Sequence, residues 1–168
     1  SSKSSWEAYP TGQNEVLRLT QSQVGYSYRA VVSYIDSHGT REVLYTSPSE
    51  TIDNLDDPVQ GEVTIIGEPK EGVTLRALSN SLSDEDGIAS ISISWETSKD
   101  GRNWVGVNSL SGPVLSLGQS LVGSQVRARV AVVDNFGIET NLYSQATRTV
   151  ENVNNKPSGR IVIRRVGQ

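Results

Sequence analysis

Val126–Gly137 reads VRARVAVVDNFG. Val126, Ala128, Val130 and Val132 alternate with Arg127, Arg129 and Ala131, the two-residue period of a strand that buries one face. Asp134-Asn135-Phe136-Gly137 then turns the chain. Earlier by 98 positions, Tyr28–Gly39 reads YRAVVSYIDSHG, the same strand and the same turn. The match extends outward without a gap, from Trp6–Asp57 onto Trp104–Asn155, and 17 of those 52 positions are identical. A period of that length is a whole domain copied in tandem, not one turn of a small solenoid.

The same period-two reading finds other strands. Glu62–Ile66 is short, and Val73–Leu78 places Val73, Leu75 and Ala77 on one face. Ile88–Glu96 sets Ile91, Ile93 and Trp95 against Ser92, Ser94 and Glu96, and Trp95 suits a core. Lys99–Asn103 is a hairpin turn around Gly101, and Trp104–Val107 returns from it. Val114–Leu117 is a short strand before a corner at Gly118–Gly123, and Glu139–Val150 reads as a long final strand. No helical period occurs; the one helix candidate, Leu117–Val122, is a single turn. About seven strands with turn signals every ten residues or so, and the 98-residue repeat, predict an all-β chain of tandem β-sandwiches.

Domain limits follow from the repeat and the linkers. Residues 1–57 are the back half of one repeat, 58–155 a complete repeat, and 156–168 a linker with the first strand of the next. Asn54-Leu55-Asp56-Asp57-Pro58 and Asn152–Pro157 are the linkers, each held extended by its proline. The back half has no counterpart of the Trp95 strand, so one side of its sheet is expected to be bare. Upstream sequence, or a strand from another molecule such as Gly159–Val166 of a second copy, is expected to complete it.

Composition narrows the function. The net charge of −4 is spread along the chain and offers nucleic acid no basic stripe. The short Arg164-Arg165 pair fits one polar edge of a strand. There is no apolar run long enough to cross a bilayer and no start resembling a signal peptide. Cysteine is absent, which excludes disulfides and thiolate metal sites. No Gly-x-Ser-x-Gly elbow, phosphate loop or His-Glu-x-x-His is present. The single histidine, His38, has Phe136 as its counterpart, and a phenyl ring transfers no proton. The chain is therefore expected to be non-enzymatic.

Oxygen ligands are the remaining chemistry. Asp84 and Asp86 lie two apart in the loop Ser83-Asp84-Glu85-Asp86-Gly87, a spacing that aims carboxylates at a common centre. Asn54, Asp56 and Asp57 in the first linker add oxygens to the same calcium site. The later ligands of an EF-hand are missing, and a solvated acidic turn is the competing reading of the loop. In the second linker Asn154 and Asn155 replace the acids, and Lys156 adds a positive charge. Trp6 and Trp104 are read as core or edge residues, with sugar stacking as the alternative.

The stretches LSDEDGIASISISWETSKDGRNW (82–104), VLSLGQSLVGSQVRARVAVVDNFG (114–137), VENVNNKPSG (150–159) and LRLTQSQVGYSYRAVVSYIDSHGT (17–40) together resemble bacterial immunoglobulin-like or cadherin-like tandem repeats. Such repeats occur in large secreted repeats-in-toxin adhesins and biofilm surface proteins. The resemblance implies a calcium-rigidified extender at the bacterial cell surface, exported by a type I route, with neighbouring repeats as its partners. A glycan- or protein-binding module, or an accessory domain of a secreted polysaccharide-active enzyme, are the alternatives.

Overall fold

The computed structural model describes residues 5–9 and 16–164. The chain is all-β and divides into two compact units, Ser1–Asp56 and Asp57–Gln168. Among the described residues no helix is long and apolar enough to cross a membrane.

Among its described residues the first unit has one 3-10 turn at Gln21–Gln23 and two strands, β1 (Val31–Ile35) and β2 (Arg41–Tyr45). They pair antiparallel, with Val31 opposite Tyr45 and Ile35 opposite Arg41. The tight turn between them is set by Asp36, whose Oδ1 accepts the N–H groups of His38 at 2.9 Å and Thr40 at 2.8 Å. Every residue of both strands is exposed.

The second unit holds β3 (Thr64–Ile66), β4 (Thr74–Leu78), β5 (Ile88–Ser98), β6 (Val105–Ser111), β7 (Val114–Ser116), β8 (Gln125–Asp134) and β9 (Glu139–Tyr143). They form two antiparallel sheets, ordered β3-β4-β7 and β6-β5-β8-β9. One core joins them: Leu75 and Ala77 of β4 and Leu115 of β7 meet Trp95 of β5 and Val126, Ala128, Val130 and Val132 of β8. Strict alternation along β8 makes this possible, every second residue from Val126 being buried. The Trp95 ring fills the core while its indole N–H donates to the Gly112 carbonyl at 3.0 Å, so burial leaves no polar group unpaired.

Two strands differ from the sequence reading. β6 runs on to Ser111, through residues that show no alternation. The final strand stops at Tyr143 instead of continuing to Val150. Beyond Tyr143 the chain still follows β8, but hydroxyl groups replace strand carbonyls as acceptors. The Ala128 N–H donates to Ser144 Oγ at 2.9 Å and the Val126 N–H to Thr147 Oγ1 at 3.0 Å. The return bonds, from Ser144 N–H to the Ala128 carbonyl at 3.0 Å and from Thr147 N–H to the Val126 carbonyl at 2.8 Å, stay backbone to backbone, so the regular ladder ends while the Ala128 and Val126 amides keep partners. Gly159–Arg164 forms no strand, and Arg165 and Val166 lie outside the described residues.

The repeat holds at the level of single hydrogen bonds. In the first unit the Ala30 N–H donates to Thr46 Oγ1 and the Tyr28 N–H to Ser49 Oγ, both at 3.0 Å. These are the counterparts, 98 positions earlier, of the Ser144 and Thr147 bonds, with serine and threonine exchanged. Gly25 N–H to the Ile52 carbonyl likewise matches Gly123 N–H to the Val150 carbonyl, at 2.9 and 3.0 Å.

Both linkers are tied to the second unit. On entry, Asp57 donates its N–H to Asp86 Oδ2 at 3.0 Å, and Gln60 and Ser83 exchange backbone bonds. On exit, Glu151 bonds Pro69 and Glu71 through the backbone. The Glu71 carboxylate then accepts the Val153 N–H at 2.9 Å and reaches the Asn155 amide at 3.5 Å.

Candidate metal centre

The end of the second unit where the chain enters it gathers carboxylates. Asp134 is the last residue of β8 and continues the inward series Val126, Ala128, Val130, Val132. It stands opposite Ile88, the first residue of β5, two residues after Asp86. Both acids are buried, at 4% exposure each. Oxygens of Asp86, Asp134 and Asp56, the residue peptide-bonded to Asp57, lie within 4.8 Å of one another.

Among the described residues, each buried carboxylate has one oxygen hydrogen-bonded and one open. Asp134 Oδ1 accepts the N–H groups of Phe136 and Ile138, both at 2.8 Å, while no hydrogen bond reaches its Oδ2. Asp86 Oδ2 accepts the Asp57 N–H, while no hydrogen bond reaches its Oδ1. A buried oxygen without a partner costs about 1–3 kcal/mol, more when charged. At about 5 Å and an effective dielectric of about 20, each pair of like charges also repels by about 3 kcal/mol. A cation removes both penalties at once. Two oxygens on one calcium ion are at most about 5 Å apart, twice the usual bond length of about 2.3–2.6 Å, so a single ion can touch all three acids. The donor set is all oxygen, which suits a hard cation.

The loop is shaped to present Asp86. Asp84 accepts the Asp86 N–H on Oδ1 at 2.8 Å, and Gly87 closes the turn with a φ of +79°. A side chain at Gly87 would run into Asn135, which sits against it from the β8–β9 turn. Loop and turn therefore pack together, and their acids converge.

Of the five residues singled out from sequence, the structure brings Asp86 and Asp56 into the cluster. Asp84 folds the loop, Asp57 contributes its backbone N–H, and Asn54 Oδ1 accepts a bond from Gln21 at 3.0 Å. Asp134 was missed. Its signal was in the alternation, which places it on the core face where a carboxylate needs a partner.

Other candidates show less. His38 is exposed and meets Ser37 Oγ at 3.4 Å, on a turn whose counterpart carries Asn135 and Phe136. The Arg127 guanidinium covers one face of Trp104, at 4.3 Å from the ring centroid. Arg29 covers Trp6 at the same distance.

Comparison of the chain with family models, with curated proteins and with solved structures finds no match in any of the three.

Proposed function

We propose that the chain is a non-catalytic extender from a bacterial cell-surface or secreted adhesin, built from tandem immunoglobulin-like sandwiches that project a distal binding domain. Calcium held by Asp86, Asp134 and Asp56 ties the entering linker to the unit it joins. The observation that carries this reading is the pair of buried carboxylate oxygens, Asp86 Oδ1 and Asp134 Oδ2, that no donor reaches beside a third carboxylate. The hydrogen bonds at both ends of the second unit support it, because a linker anchored where it enters and where it leaves resists bending. Seven strands in two sheets around Trp95 suit an immunoglobulin-like unit.

Calorimetric titration of the chain with calcium tests the site. We expect one ion bound per chain in the micromolar to millimolar range, and affinity at least tenfold weaker in Asp86→Asn. Absence of calcium-dependent heat at millimolar metal would remove the proposal.

A further inference from the structure

Beside the metal centre, β5 passes over one of its own residues. From Ser98 back to Ser90 the strand pairs with β8 one for one, with Trp95, Ile93 and Ile91 opposite Ala128, Val130 and Val132. After Ser90–Val133 the next pair is Ile88–Asp134, so Ala89 has no partner on β8 and stands out as a bulge. Residues directly opposite in an antiparallel pair share one face of the sheet. A bulge therefore reverses which face every earlier residue of its strand takes.

That reversal decides where Asp86 lies. If the alternation ran on unbroken from Trp95, Ile93 and Ile91, Ala89 and Gly87 would take the core side. Ile88 and Asp86 would then take the solvent side. The observed burial is the opposite: Ala89 is exposed, Ile88 packs against the core and Asp86 is 4% exposed. Asp134 keeps its place in the inward series of β8. The two acids thus meet on one face, each with a buried oxygen that no hydrogen bond reaches among the described residues. The same register seats the Asn135 amide on Gly87, where φ is +79° and a Cβ would collide with it.

Isoleucine gains more from burial than alanine, which gives the bulge its driving force. The trace is visible in the sequence, where Ile88, Ile91, Ile93 and Trp95 are spaced three, two and two apart. We infer that Ile88 is the positioning residue of the metal centre: its burial in place of Ala89 forces the bulge, and the bulge turns Asp86 from solvent toward Asp134. The role given to Ile88 rests on the calcium site proposed above, but the register it imposes needs no metal.

Calorimetric titration of variants of the intact chain with calcium chloride tests it, together with cross-strand proton contacts read by NMR in chelator. Ile88→Val should bind calcium as the parent does. Exchanging the two side chains, Ile88→Ala with Ala89→Ile, offers the core an unbroken alternation and should weaken binding about tenfold or more. Deleting Ala89 removes the bulge but leaves Ile88 opposite Asp134, so binding should persist. In chelator the parent should show Ile88 opposite Asp134, and the exchanged form should show position 89 there instead. Undiminished calcium binding by the exchanged form would overturn the inference, as would Ala89 opposite Asp134 in the metal-free parent. A parent that binds no calcium removes the calcium reading, and the contacts in chelator then decide whether Ile88 places Asp86. If the deletion does not fold, the exchanged form and the parent decide.

Discussion

Arg127 stacks over Trp104, its guanidinium carbon 4.3 Å from the ring centroid. It lies equally close to Tyr143 on β9 and pairs with Glu96 on β5, so one side chain links three strands of the sheet. The pair is only partly exposed, at 24% and 17%, so solvent screens it less than a surface pair.

Arg127→Leu is therefore expected to destabilise the second unit by about 1–2 kcal/mol, the loss of two cation–π contacts and one ion pair. Arg127→Lys should recover part of that, since an ammonium keeps the charge but not the planar fork. Thermal unfolding monitored at β-sheet wavelengths decides this, with a drop of several degrees expected for leucine.

The hydroxyl acceptors after β9 make a sharper test. Ser144→Ala leaves the buried Ala128 amide without its partner and should cost about 1–3 kcal/mol. Ser144→Thr should be near neutral, because Thr46 fills the same role in the first unit. Denaturant unfolding of both variants checks the order.

Trp95→Phe removes an indole from the core and leaves the Gly112 carbonyl without its donor. A loss of about 2–4 kcal/mol is expected from the lost volume and the orphaned acceptor. Chemical denaturation with unchanged slope would show that the fold itself is retained.

The Lys99–Asn103 hairpin carries a pH signature. Backbone N–H groups of Asn103 and Arg102, then the side chains of Asn103 and Ser98, hold the Asp100 carboxyl well below the ordinary carboxylate range. A depressed folded-state pKa adds stability above the unfolded-state pKa, and that stability is lost as pH falls through the folded value. Carbon-detected NMR titration should find Asp100 still ionised at pH values below the ordinary carboxylate range. Asp100→Asn should remove its low-pH transition.

Much of the second unit was legible because its core strands obey one rule. Val126 to Val132 alternate in sequence and in burial, and alternation is set locally by the pleat. In β5 the reading holds for Trp95, which is buried, but not for Ile91, which is 40% exposed. The end of β9 was not legible, because Ser144 and Thr147 act through hydroxyl bonds to a strand distant in sequence. The acidic cluster was half legible. Asp86 and Asp56 stood out as acids in a loop and a linker, but their meeting with Asp134 depends on the β5–β8 register that places Ile88 opposite it. Asp84 misled because its carboxylate is used on the loop's own backbone.

The most direct measurement of the central claim is the melting temperature of the chain and of Asp134→Asn, each in calcium and in chelator. At calcium ten times its dissociation constant, the chain should gain about 1.4 kcal/mol and melt roughly 5–10 °C higher than in chelator. Asp134→Asn should show no calcium response and, relieved of one buried charge, should melt no lower than the parent in chelator. Equal melting temperatures for the parent chain with and without millimolar calcium would contradict the account.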